Sequence, residues 1–243
     1  MRTTVTCIHF TDELSPRIAA LSLQNGHRVV ADYYVSALQF DLLRKLIPPD
    51  VTAGIPYWLK MDRIELSPIV GVNLWFDRPI PCEPAIALLD RSTEWIFNKN
   101  RIFGHPDGRN AHLSMVISAS HRYSAMPKDE LLAVVLKDVR ACIPLAAHAN
   151  LVKSYVVRWP KATISPRPGV DSLRPDQRSP ISNLYVAGEW TKTGWPSTME
   201  SAARSGYLVA EYILADEGRP QSVLVPDLPV SRLARLLMRR PLT

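Results

Sequence analysis

Apolar positions recur along this chain in two rhythms, and the change from one to the other divides it into elements. Val5 to Phe10 is short and β-prone. Asn25-Gly26 is a hairpin-turn signal, and the residues after it, His27 to Ser36, are rich in β-branched and aromatic side chains. Leu21 to Ser36 therefore predicts a hairpin that runs into a buried strand. Leu38 to Ile47 has helical spacing and meets a stop at Pro48-Pro49. Between Pro68 and Ser120 the pattern is mainly that of strands: Ile69 to Phe76, Ala85 to Leu89, Glu94 to Phe97 and Leu113 to Ser118. Prolines and the run Gly104-His105-Pro106-Asp107-Gly108 mark the loops between them.

The helical rhythm returns at Lys128 to Cys142. Leu131, Leu132, Val135, Leu136 and Val139 share a face, Pro127 suits a first helical position and Pro144 ends the run. Val152 to Trp159 reads as a strand, and Pro160 to Pro180 as a long polar loop with prolines at 160, 166, 168, 175 and 180. The short apolar run Asn183 to Gly188 fits a parallel strand buried on both faces. Met199 to Leu214 predicts a second helix, whose expected packing face is Ala202, Ala203, Gly206, Val209, Ala210 and Ile213.

Composition narrows the class. The 243 residues are 47% apolar and 21% charged, enough for a sizeable core and too apolar for a disordered chain. Cys7, Cys82 and Cys142 are far apart and form no CxxC pair, so neither a disulfide framework nor a zinc site is expected. The six histidines show no HExxH or other ligand spacing, and no metal is assigned. No apolar run reaches the roughly 18 residues a membrane span needs, and Met1 to Phe10 has no signal-peptide pattern. The net charge of +6 is concentrated late, with Arg232, Arg235, Arg239 and Arg240 and no acid between Ser231 and Arg240. That stretch reads either as a solvated tail or as an interfacial helix with Leu233, Leu236 and Leu237 on one side.

Candidate chemistry sits in NLYVAGEWTKTGWPSTMESAARSG, residues 183–206. It is a buried strand, a glycine, an acid, a loop with Gly194 and Pro196, and then a helix. In open α/β sheets ligands bind at the C-terminal edge of such strands. N–H groups at the helix start, around Ser197 to Met199, can meet an electron-rich carbonyl, with the helix dipole adding about 0.3–1 kcal/mol for negative charge. A plain strand–loop–helix unit with Ser197 or Thr198 as N-cap would share the pattern.

At residue level this stretch resembles the C-terminal FAD motif of the flavin amine oxidase and phytoene desaturase superfamily, and it is most similar to the squalene-associated, hydroxysqualene dehydroxylase type. Upstream, Lys161-Ala162-Thr163, Pro166, Pro168-Gly169, Arg174-Pro175, and Ala31-Asp32 with Val35 to Leu38 resemble the same group. The resemblance implies an FAD cofactor. Gly188 and Glu189 would lie beside the ribityl–pyrophosphate, with Glu189 standing where the family more often has Asp. Gly194, Trp195, Pro196, Ser197, Thr198 and Met199 would line the isoalloxazine. It singles out no catalytic acid or base.

The implied fold is mixed α/β: a partial Rossmann-like FAD-binding fold lacking its N-terminal βαβ unit, with a mixed-sheet substrate-binding region. The expected boundaries are 1–40 for FAD-domain strands, 41–150 for substrate binding, 151–218 for the C-terminal FAD segment and 219–243 for the basic tail. The family's GxGxxG finds no counterpart among the ten glycines. A partner chain carrying that unit is therefore expected, and weak FAD binding without it. The implied reaction is hydride exchange between flavin and an apolar isoprenoid such as hydroxysqualene, in a channel from Trp75, Phe76, Ile86, Leu88, Met115 and Ile117. Alternatives are an amine oxidase of the same superfamily and a non-catalytic subunit or remnant. The expected setting is the cytoplasm with peripheral membrane contact, and no nucleic acid is expected as a partner.

Overall fold

The computed structural model describes residues 3–11, 15–105, 110–231 and 234. In chain order it begins with β1 (Val5–Phe10), β2 (Ile18–Leu23), β3 (Arg28–Val29) and β4 (Tyr34–Ser36). Three short helices follow: α1 (Phe40–Leu46), α2 (Pro49–Thr52) and α3 (Pro56–Met61). Then come β5 (Leu66–Phe76), β6 (Ala85–Ala87), β7 (Trp95–Asn98), α4 (Lys99–Ile102), β8 (Ala111–Ile117), α5 (Lys128–Cys142) and β9 (Leu151–Ile164). The described chain closes with β10 (Leu184–Val186) and α6 (Met199–Asp216).

These elements form two compact units, one of residues 1–58 with 175–243, the other of residues 59–174. The boundaries differ from those expected at 40/41 and 150/151. The helices α1 and α2 stay with the first unit. The stretch 151–174 joins the second because β9 pairs along almost the whole length of β5.

The second unit is built on a five-stranded sheet of order β6-β7-β8-β5-β9 in which every neighbouring pair is antiparallel. The mixture of directions expected for this region is thus divided between the units, and the parallel pair lies in the first. Alternation sends Val70, Val72, Leu74 and Phe76 of β5 and Leu113, Met115 and Ile117 of β8 to one face. There they meet Leu131, Val135 and Val139 of α5, all fully buried. Each such side chain contributes about 1.5–3 kcal/mol.

β9 does not stop before Pro160 but continues to Ile164, so the polar loop is shorter than its prolines suggest. The register slips between Ser67/Thr163 and Ile69/Trp159, which brings Pro68 and Pro160 to the same irregularity. β9 is an edge strand, where a missing N–H is tolerated. The Gly104 to Gly108 loop falls partly outside the described residues.

The first unit has a β1-β2-β3 antiparallel sheet and a separate two-stranded parallel sheet of β10 and β4. The Asn25-Gly26 turn joins β2 to β3 as its dipeptide predicts, with Gly26 at φ 82°. Buried Asn183 links the sheets. Its Oδ1 accepts from the Ile18 N–H at 2.9 Å and its Nδ2 donates to the Ile18 carbonyl at 3.0 Å, imitating one rung of strand pairing. Leu184, Tyr185 and Val186 of β10 are all buried. One edge of β10 is taken by β4, and Tyr185 also bridges to Arg178. The edge without a strand among the described residues is that of β4, where Val35 stays half-exposed.

Candidate functional site

β10 delivers the chain into Gly188, at φ 154°, a conformation costly for any residue with a Cβ. A Cβ at this position would meet the Trp190 indole Nε1 at 2.3 Å. Glycine is therefore required here by the protein's own tryptophan. Trp190 is fully buried, donates from Nε1 to the Leu38 carbonyl at 3.2 Å and packs edge-on against Phe40. The Gly188 N–H donates to Ser205 Oγ at 2.8 Å, and its carbonyl accepts from the Thr191 N–H and hydroxyl. Thr191 Oγ1 in turn accepts from the amide of buried Gln177, which also donates to the Lys192 carbonyl.

That network makes the first half of the loop rigid and turns the second half outward. Glu189 is partly buried, while Gly194, Trp195, Pro196, Thr198 and Met199 are exposed and Ser197 is intermediate. Gly194 takes φ 78°, and no atom lies within 4 Å of where its Cβ would be. Thr198 caps α6, its Oγ1 accepting from the Ser201 N–H at 3.2 Å. Ser201, fully buried, holds Thr193 by a 2.7 Å hydroxyl contact and so fixes the loop to the helix. Helix geometry leaves the first-turn N–H groups, at Met199 and Glu200, without intrahelical acceptors. Gly194 thus leaves a clear approach beside the first turn of α6. Gly188 contributes to that arrangement through packing on Trp190.

The face that α6 buries is the expected one only in its C-terminal half, where Val209 is buried and Ile213 packs on the same cluster. Ser201, Arg204, Ser205 and Val209 point inward, whereas Ala202, Ala203 and Gly206 are exposed. In the first two turns small polar residues win because they bond the loop, Ser205 at the Gly188 N–H and Ser201 at Thr193. At the far end of the helix Asp216 accepts from Arg178, whose Nη2 lies 2.7 Å from Oδ1, and from the Tyr185 hydroxyl. Arg178 holds the Asp216 carboxyl below its ordinary range, and burial, then Asp216, pushes the Tyr185 phenol up to about 12.

In the second unit the channel expected from six residues is corrected. Phe76, Met115 and Ile117 lie in the core against α5, and Ile86 and Leu88 pack on that same core. A strand presents alternate residues to opposite faces, so neighbours in sequence cannot line one surface. Trp75 alone points to the other face. There it stacks on His112 with ring centroids 4.3 Å apart, while Lys153 Nζ lies 5.1 Å from its ring. His112 also contacts Asn73 Oδ1 through Nε2 at 3.0 Å, and burial followed by Lys99 lowers its pKa. Trp95 and Phe97 stack in parallel on the same face, and Tyr155 and Trp159 extend it along β9. Gly71 leaves room for Trp159, whose ring carbon lies 3.1 Å from a Cβ built there.

Sequence reasoning missed Trp190, Ser201, Ser205 and Gln177, and on the open face Trp95, His112, Tyr155 and Trp159. The alternation that placed β5 and β8 would have found the last group had each strand's faces been followed separately.

Among the described residues no helix is long and apolar enough to cross a membrane, and Cys7, Cys82 and Cys142 are free thiols. Residues 232–233 and 235–243 of the basic tail lie outside the described residues.

Comparison with known proteins places the chain among its relatives. The 15-cis-phytoene desaturase of Synechococcus elongatus is 30% identical over 212 residues, covering 84% of this chain and 44% of that protein. The chloroplastic/chromoplastic 15-cis-phytoene desaturase of Glycine max is 28% identical over 207 residues, covering 82% and 36%. The hydroxysqualene dehydroxylase of Sinorhizobium fredii is 29% identical over 170 residues, covering 70% and 38%. The chain thus spans less than half the length of these relatives. Among solved structures, a putrescine oxidase mutant superimposes with a TM-score of 0.65 at 13% identity, covering 88% of this chain and 48% of that one. Reduced UDP-galactopyranose mutase gives 0.62 at 17%, covering 82% and 44%. Both show a shared fold. The family of flavin containing amine oxidoreductases matches residues 1–214, and the chain belongs to that family of FAD-dependent oxidoreductases.

Proposed function

We propose that this chain supplies the flavin-edge loop and the substrate-binding sheet of an FAD-dependent oxidoreductase acting on a long isoprenoid, of which hydroxysqualene and phytoene are examples. The observation that carries the reading is the loop Gly194 to Met199, an outward turn that leads into the capped N-terminus of α6. Its residues and the backbone N–H groups of Met199 and Glu200 would hold the isoalloxazine, and Glu189 would accept from a ribityl hydroxyl. FAD, when bound, supplies the hydride acceptor or donor at its ring. The chain's own part is to orient that ring, and the first-turn dipole favours negative charge at the carbonyl edge.

The open face of the second unit supports an apolar substrate. Trp75, Trp95, Phe97, Tyr155 and Trp159 all stand on that face, and each buried CH₂ of an isoprenoid chain is worth about 0.8 kcal/mol. A long apolar chain can be held there by area, with no polar anchor required. Relatives named for phytoene and hydroxysqualene favour this class over simple amines.

The parallel pair β10 and β4 supports the need for a further nucleotide-binding unit. Parallel sheets normally have more strands and are covered on both faces. Here the β4 edge, which has no strand beside it among the described residues, and the exposed Ala202, Ala203 and Gly206 offer surfaces that such a unit would cover. The chain purified alone is expected to hold well under one flavin per chain by absorbance. Co-expression with a unit carrying GxGxxG, sought first in an adjacent reading frame, is expected to restore one. A stoichiometric flavin on the chain alone would overturn the requirement for a partner. The reconstituted protein is then assayed with hydroxysqualene, phytoene and simple amines. Turnover of amines without turnover of either isoprenoid would overturn the substrate class.

A further inference from the structure

The sequence places the residues after α6 at the start of a tail, yet those from 219 to 227 are tied along the helix. Gly218, at φ 70°, ends α6 in the left-handed region, and the Arg219 N–H returns to the Leu214 carbonyl, reversing the chain. Glu211 Oε1 then accepts from the Val223 and Leu224 N–H groups, each at 2.8 Å, and from Ser222 Oγ at 3.3 Å. One turn-pair earlier on the helix, Arg204 Nη1 donates to the Val225 carbonyl at 3.2 Å. At the N-terminal end Asp227 Oδ1 accepts from the Trp195 indole Nε1 at 2.8 Å and lies 3.2 Å from Arg204 Nη1. The spacing is consistent with an extended segment running antiparallel to the helix: seven helical residues rise about 10 Å, and about three extended residues span the same distance.

Arg204 makes this more than a surface contact. Its side chain is 9% exposed, and its Nε has no hydrogen-bond partner among the described residues. Its guanidinium lies 5.5 Å from the Trp195 ring centroid, and its other carboxylate, Glu200, is 3.7 Å away. A buried cation so placed depends on the Asp227 carboxylate and the Val225 carbonyl. The same carboxylate holds the indole of Trp195, which is 37% exposed at the tip of the loop.

We propose that residues 219–227 form a strap that sets the orientation of the Trp195 indole through Asp227 and Arg204, which makes Asp227 a positioning residue for the loop. The link from strap to flavin rests on the reading under Proposed function; the link from strap to Trp195 rests on these contacts alone.

The test is fluorine NMR on the full chain carrying 5-fluorotryptophan, with its six tryptophans resolved and Trp195→Phe assigning one resonance. Asp227→Leu is expected to move the Trp195 resonance alone to a solvent-exposed position. Asp227→Asn, which keeps an acceptor oxygen, is expected to restore most of the original shift. Glu211→Gln, remote from Trp195, is expected to speed amide exchange at Val223 and Leu224 by about tenfold and to move the Trp195 resonance in the same direction as Asp227→Leu. The Glu211→Gln arm decides the matter if Asp227→Leu fails to fold, which the other five resonances report. An unmoved Trp195 resonance in the folded Asp227→Leu or Glu211→Gln protein overturns the strap. If the Trp195 resonance ignores saturating FAD while still following the strap variants, the cofactor assignment fails and the strap stands.

Discussion

The two units hold themselves together in different ways. The second has a five-stranded antiparallel sheet with α5 along one face, and its core is a continuous set of Val, Leu, Ile, Met and Phe side chains. The first has a three-stranded sheet and a parallel pair, joined by single polar links such as Asn183 to Ile18 and by one indole, Trp190, seated under a glycine. Area sustains the second unit, and the first adds specific geometry to its buried side chains. The parts expected to meet a flavin are in the unit that relies on geometry. That is reasonable for a site that must present a few backbone groups in fixed directions.

Substitutions can break this contrast in graded steps. Leu74→Ala removes a fully buried side chain from the second unit's core and is expected to cost about 4 kcal/mol, measured by denaturant unfolding. In the first unit a single methyl group should do nearly as much harm. Gly188→Ala adds strain at φ 154° and a collision with Trp190, for about 3 kcal/mol. Pairing Gly188→Ala with Trp190→Ala is expected to recover the collision part and not the strain.

A smaller effect is expected at the link between sheets. Asn183→Ala leaves the Ile18 N–H and carbonyl without their partners and should cost about 2 kcal/mol, with faster amide exchange at Ile18. The smallest concerns Arg178, which is partly exposed and bridges Asp216 at the C-terminal end of α6. Arg178→Met should cost under about 1 kcal/mol near neutral pH. Its pH dependence follows from Asp216, whose folded pKa is lowered from 3.8, chiefly by Arg178. Such a group adds stability above 3.8 that is lost as pH falls through the lower folded value, so the variant and the parent should converge in acid. A difference that grows on acidification would contradict the pairing.

Much of this architecture was legible in the sequence where the signal was local. The rhythm of α5, the Asn25-Gly26 turn, the buried β10 and the Thr198 cap all follow from a few adjacent residues. The missed features join residues distant in sequence: Trp190 to Leu38, Asn183 to Ile18, Trp195 to Asp227. No periodicity encodes such pairs. The extension of β9 through Pro160 was hidden because proline reads as a breaker until the bulge at an edge strand is known. The α6 face differs from expectation only in its first two turns, where hydrophobicity ranks Ala202 and Gly206 above Ser201 and Ser205 while hydrogen bonding to the loop decides the outcome.

The central claim is that main-chain amides at the start of α6 meet a flavin ring. Hydrogen exchange of the chain with and without millimolar FAD tests it most directly. Slower exchange confined to the first unit and centred on residues 194–200 is the predicted result. Saturable FAD binding that slows exchange elsewhere and leaves those amides unchanged would contradict it.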